Sequence, residues 1–154
     1  EKTFRGQELR GYVHDQGAAL LGGVGGHAGL FGTADDVAKM MQMYLQKGYY
    51  GGTWYLQPQA IQLFNTCNYC TEGNRRGLGF DKPQLGKAGP TCGCVPMESF
   101  GHTGFTGTFA WADPINEIVI VFLSNRTYPS AENKLLINKL IRQRVQEVVY
   151  KAGL

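Results

Sequence analysis

The sequence predicts an α+β fold, a small antiparallel sheet packed with helices that include a long C-terminal one. Three observations predict it. Val37, Met40, Met41, Tyr44 and Leu45 recur at helical spacing. Residues 108 to 124 carry two strand patterns joined by a short turn. Leu136 or Ile137, Leu140, Ile141, Val145 and Val148 form a second helical stripe near the C-terminus.

A chain of 154 residues suits one domain with a modest core. Its 22 glycines predict many loops and close backbone packing. The net charge of +3 is small and scattered, which argues against a nucleic-acid partner. The longest apolar run, Ile118 to Leu123, is strand-sized and implies no membrane span. The chain begins at Glu1 rather than Met and shows no signal peptide, so it reads as a processed or excised piece.

Residues 1 to 32 read as irregular. Val13-His14-Asp15 precedes an apolar patch, Ala18 to Leu21, and then a glycine-rich run from Gly22 to Gly32. That run lacks the Gly-Lys-Ser/Thr ending and the preceding strand of a phosphate loop. His14 and His27 are candidate ligands or proton carriers; the competing reading is hydrogen-bonded structural histidines.

Thr33 suits a helix N-cap, and Asp36 three residues on makes a near capping box. Asp35 and Asp36 also suit the positive end of the helix dipole. The stripe from Val37 to Leu45 faces inward, both Met40 and Met41 belong to the core, and Gly48 ends the helix. Tyr49 to Tyr55 is a glycine-rich turn between aromatics. Pro58 opens a second, shorter helix with Ile61, Phe64 and Ala60 inward.

Residues 66 to 98 are the least regular part, with Leu78-Gly79-Phe80 a candidate short strand. All four cysteines fall here, as Cys67-Asn68-Tyr69-Cys70 and Cys92-Gly93-Cys94. Two disulfides, one structural zinc on Cys67, Cys70, Cys92 and Cys94, or free thiols all fit this spacing. Each reading assigns the cysteines to pinning a long loop rather than to catalysis.

From Thr108 to Ala112 the residues alternate, Phe109 and Trp111 on one face and Thr108, Ala110 and Ala112 on the other. Asp113-Pro114-Ile115-Asn116 has turn composition. Glu117 to Ser124 is apolar throughout its middle, as in a strand buried on both faces. The short link makes the two strands an antiparallel hairpin. A long helix follows over about residues 131 to 151, with Lys134, Lys139, Arg142 and Glu147 solvated.

The best candidate for chemistry is His102-Thr103-Gly104, which stands just before the hairpin. Thr103 can donate to a substrate carboxylate, His102 can supply charge or a proton, and the strand-edge N–H of Phe105 can polarise a carbonyl. The competing reading is a turn-forming His-Thr-Gly.

Three segments together resemble the C-terminal half of the serine β-lactamase-like, or penicillin-binding-protein-like, family. They are Val13-His14-Asp15 with Gly22 to Gly29; Gly29 to Lys39; and Phe100 to Thr108 followed by Trp111, Asp113-Pro114 and Ser124-Asn125-Arg126. That family groups class C β-lactamases, D-alanyl-D-alanine carboxypeptidases and esterases. The nearest resemblance is to domains fused behind family 3 glycoside hydrolases.

The resemblance implies a serine hydrolase in which Ser-x-x-Lys supplies the nucleophile. His102, Thr103 and Gly104 match the family's third motif, which binds substrate carboxylate, and Phe105 matches its oxyanion N–H. Ser99, Ser124 and Ser130 each lack a lysine three residues on, and no Tyr-x-Asn precedes the glycine-rich run. Residues 1 to 154 are therefore expected to be a C-terminal fragment, inactive alone and partnered by an upstream N-terminal half of the same domain. The expected substrates are β-lactams, peptidoglycan peptides or esters, with no cofactor beyond a possible structural zinc and a periplasmic or envelope location. The alternative is a non-catalytic accessory or binding domain of a fused glycoside hydrolase. Without upstream strands, Glu117 to Ser124 would present an apolar edge suited to homodimerisation.

Overall fold

The structure is a computed structural model and describes residues 1, 3–84 and 89–152. It divides into two compact units, Glu1–Thr33 and Ala34–Leu154.

The first unit is built from side chains that satisfy backbone groups. The Glu1 carboxylate accepts the N–H groups of Thr3, Phe4 and Arg5. The Arg5 guanidinium in turn donates to the carbonyls of Val13 and His14 at 2.8 and 2.9 Å. The expectation of an irregular segment needs one correction, a short helix α1 (Gln16–Leu20). Asp15 is its N-cap and accepts the Ala18 N–H at 2.8 Å. The small side chain of Ala18 is fully buried beneath the glycine-rich turn. At Gly29 the backbone is left-handed, φ +122°, and a Cβ would collide with the carbonyl of Gly23.

The second unit contains α2 (Ala34–Leu45), a hairpin of β1 (Tyr49–Tyr50) and β2 (Thr53–Trp54), and α3 (Pro58–Asn65). After these come β3 (Phe100–Thr103), β4 (Phe109–Asp113), β5 (Ile118–Phe122), α4 (Leu135–Asn138) and α5 (Ile141–Lys151). Strands β3, β4 and β5 make an antiparallel sheet in that order.

Alternation along β4 sorts its side chains into two cores. On one face Phe109 and Trp111 stack with ring centroids 5.7 Å apart. They pack with Ile118, Ile120 and Phe122 and are covered by Val149 and Tyr150 of α5. On the other face Ala112 packs with Phe100 and Met41, bordered by Val37, Tyr44 and Leu45 of α2. The predicted antiparallel sheet is therefore covered by helices on both faces, which explains the apolar run in β5.

Several expectations are corrected. Met40 lies on the outward side of α2 and is exposed, while Met41 is buried. The stop of α2 begins one residue before the expected Gly48: Lys47 is at φ +57° and Gly48 at φ +101°, where a Cβ would collide with the Leu56 carbonyl. Gly48 N–H returns to Met43 O at 2.8 Å and Lys47 N–H to Tyr44 O at 3.0 Å, a Schellman closure. The turn between aromatics is a two-residue hairpin loop of Gly51 and Gly52, both at positive φ. Pro58 does open α3 and Ile61 is buried, but Phe64 points outward. Leu78-Gly79-Phe80 is a bend, not a strand; the bridges fall on either side, at Arg76 and Asp81.

The predicted C-terminal helix is broken. Leu140 adopts φ +52°, ψ +39° and separates α4 from α5. The break rotates the inward face: Leu140 and Val148 are exposed, Gln146 is fully buried, and its Oε1 accepts the Cys92 N–H at 2.9 Å. Arg142, expected to be solvated, donates to Thr108 O at 3.1 Å.

The cysteines pair with their sequence neighbours, Cys67–Cys70 and Cys92–Cys94. All four sulfurs are consumed, so the zinc and free-thiol readings are set aside. Each bridge closes only a tight local ring and neither pins the long loop. Residues 85–88 of that loop lie outside the described residues.

The β4–β5 turn is tied to α5. The buried Asp113 carboxylate accepts the N–H groups of Ile115 and Asn116, the Asn116 amide and the Tyr150 hydroxyl. Burial alone would raise its pKa, but these donors outweigh burial and hold it below the ordinary carboxylate value. Stabilisation from this carboxylate is thus present above about pH 4 and is lost as pH falls through the lowered value. Tyr150→Phe is expected to destabilise the chain by roughly 1.5–3 kcal/mol at neutral pH. In urea titrations over a pH series, the gap from wild type should narrow as the pH drops below about 4.

Candidate functional site

His102 and Thr103 end β3, an edge strand bonded to β4 on one side. On its outer side Gly101 exchanges two backbone hydrogen bonds with Asp81: Asp81 N–H to Gly101 O at 2.8 Å and Gly101 N–H to Asp81 O at 3.1 Å. Backbone direction alternates along a strand, so the Thr103 N–H and C=O point to the same outer side as those of Gly101. Gly104 N–H turns back to Thr108 O at 2.9 Å. Phe105 lies in the turn beyond the strand rather than on the strand edge as expected.

Gly101 and Gly104 are required by space. A Cβ on Gly101 would collide with the Ala110 carbonyl and the Trp111 indole, and one on Gly104 with the Thr108 hydroxyl. Trp111 is itself fixed, because its Nε1–H donates to Ser99 Oγ at 2.9 Å.

The surroundings of the triplet are cationic, and sequence reasoning missed most of them. Arg76 Nη1 lies 3.1 Å from His102 Nε2. Arg76 Nε lies 3.1 Å, and Arg75 Nη2 3.0 Å, from the Asp81 carboxylate, which is almost wholly buried. Across the turn, the Arg126 guanidinium stands 4.6 Å from the centre of the exposed Phe105 ring. Arg142 reaches the carbonyl of Thr108 and, at 3.5 Å, that of Gly104. Burial, and then the neighbouring charge of Arg126, lowers the Arg142 pKa. Arg76, Arg126 and Arg142 therefore border the stretch from His102 to Phe105, and Arg75 joins Arg76 at the buried Asp81 carboxylate. Such an edge favours an anionic ligand. The only signal for Arg76 in the sequence was the adjacent pair Arg75-Arg76 inside an irregular stretch.

The three serines are not placed as nucleophiles. Ser99 is fully buried between Trp111 and the Pro96 carbonyl, to which it donates at 2.7 Å. Ser124 lies beneath the Gly107 turn, and Ser130 accepts the Glu132 N–H. In the first unit, His27 Nε2 is 2.8 Å from Asp15 Oδ1, which fits the structural reading of that histidine. The Ala18 N–H and then His27 hold the Asp15 pKa below its ordinary value. Among the described residues no group of His, Cys, Asp or Glu is arranged to hold a metal, and no helix is long and apolar enough to cross a membrane. A shallow depression of about 270 Å³ between α2 and β5 is lined by Asp35, Lys39 and Val119 among others, and the triplet takes no part in it.

With this geometry in view, the comparisons with known proteins are informative. The beta-lactamase family model matches residues 3–143. The chain belongs to the beta-lactamase family. It is 38% identical over 128 residues to an Escherichia coli K12 protein named "Putative D-alanyl-D-alanine carboxypeptidase", covering 82% of this chain and 29% of that protein. A Salmonella enteritidis PT4 protein of the same name is 37% identical over 133 residues, covering 85% of this chain and 30% of its own length. The chain thus spans less than a third of the length of these curated relatives.

Gly101→Ala is expected to cost about 3 kcal/mol or more, because the colliding atoms are backbone and a packed indole. Chemical denaturation should show a large fall in the unfolding midpoint.

Proposed function

We propose that this chain forms the carboxylate-binding and oxyanion side of a serine acyl-transfer site. The substrate would carry a carboxylate near its scissile acyl bond, as β-lactams and peptidoglycan peptides do, with esters a further class. The observation that carries this reading is the outer edge of β3, where a family-matching triplet stands beside the Arg76 guanidinium. Thr103 would hydrogen-bond the substrate carboxylate beside His102. Gly104 leaves room for the Thr108 hydroxyl at the end of the strand. In the family motif the N–H after the glycine is the oxyanion donor, and by that match the Phe105 N–H, in the turn just beyond β3, would take this role.

The nucleophile would come from sequence outside these 154 residues, since no serine here has the required lysine. Its hydroxyl would add to the carbonyl while the leaving group takes a proton, giving an acyl-enzyme that water then cleaves. The partner in this reading is an upstream half of the same domain. β5 pairs only with β4 among the described strands, and its other edge is a natural place for that half to join. In its absence that edge would favour self-association. The relatives' names motivate an envelope location and a peptidoglycan substrate.

Incubating the full-length protein with a penicillin and with an activated ester, followed by intact-mass measurement, tests the reading. An adduct on a serine outside residues 1–154 is expected, and none on this chain alone. A folded full-length protein that takes neither label would favour a non-catalytic binding role. Thr103→Val is expected to slow acylation by roughly tenfold or more, in line with loss of one hydrogen bond to a charged group.

A further inference from the structure

The outer edge of β3 has a second feature that the family motif does not supply. Asp81 is locked onto Gly101 by its backbone, one residue before His102. Its buried carboxylate accepts a hydrogen bond from Arg75 on Oδ2, and its Oδ1 stands 3.1 Å from Arg76 Nε as an ion pair without hydrogen-bond alignment. Arg76 is thereby stretched along the strand, with Nε on Asp81 and Nη1 on the His102 imidazole. Its side chain remains 47% exposed, so donor N–H groups are left for a ligand. A guanidinium only donates, so the His102 Nε2 facing it must accept. The imidazole proton then sits on Nδ1, and the charge at this edge resides on Arg76.

We infer that Arg76 is the carboxylate-binding cation of the site and that His102 is its neutral, Nδ1-protonated partner. In this arrangement the planar fork of Arg76 takes the substrate carboxylate, as guanidinium groups do for carboxylates generally. His102 orients that fork, and Asp81 positions it. The inference rests on the acyl-transfer reading above and names the group that recognises the substrate's charge.

The test compares binding of N-acetyl-D-alanyl-D-alanine with that of its C-terminal amide to the full-length protein. Wild type is expected to prefer the carboxylate by roughly tenfold to a hundredfold. Arg76→Gln should abolish that preference, Arg76→Lys should keep part of it, and His102→Asn should keep most of it. Long-range ¹H–¹⁵N spectra of unsubstituted protein should show His102 protonated on Nδ1, a readout that needs no variant to fold. The inference is overturned if His102 carries its proton on Nε2. It is also overturned if Arg76→Gln retains the preference while His102→Asn loses it. If neither probe binds a wild-type protein that a penicillin or an activated ester labels, the inference about Arg76 is overturned while the acyl-transfer reading stands; if neither reagent labels it, the acyl-transfer reading fails and the role of Arg76 fails with it.

Discussion

The second unit depends on the double confinement of β4. This strand is hydrogen-bonded on both edges, to β3 and β5, and its side chains are buried on both faces. Neither face has room for a polar group without a partner. The one charge on the strand, Asp113, is accordingly saturated by four donors at the turn. Large rings occupy one face and alanines the other, and a different helix covers each. α5 rests on Phe109 and Trp111, and α2 lies over Ala112 through Met41.

That confinement also positions the outer edge of β3. Since β4 is held rigidly, β3 is aligned by it and by a single outer clamp at Asp81. The clamp uses backbone groups, which leaves the Asp81 carboxylate to hold two arginines. A buried carboxylate without cations would be costly, and exposed cations without a carboxylate would be loosely placed. Each solves the other's difficulty, and the result is a guanidinium fixed beside His102. On the opposite side of the turn, Arg142, in the first turn of α5 after the break at Leu140, reaches the carbonyls of Gly104 and Thr108.

Much of the fold was legible in the sequence because its signals were local. The Phe109–Trp111 alternation, the Asp-Pro turn and the Val37–Leu45 stripe each follow from backbone periodicity or turn chemistry. So did the motif around His102, Thr103 and Gly104, whose glycine spacing is a matter of steric room. The failures share a different cause. Met40 and Phe64 are apolar at plausible inward positions, but which flank of a stripe meets the sheet depends on where the sheet lies. Leu140 has no residue-type signature for a left-handed backbone. The cysteines were consistent with disulfides, a zinc site or free thiols until their distances were known.

The sequence by itself determined helices α2 and α3, the β4–β5 hairpin, the family-matching triplet and the absence of a Ser-x-x-Lys in these residues. Those features depend on neighbours within a few positions. Only the tertiary structure decided that Asp81 clamps Gly101, that Arg76 meets His102 across 26 residues of chain, and that Arg142 reaches Gly104 across 38. Such contacts join charged groups from segments with no common periodicity. Their partners are chosen by the packing of β4 between two helices, which no local pattern encodes.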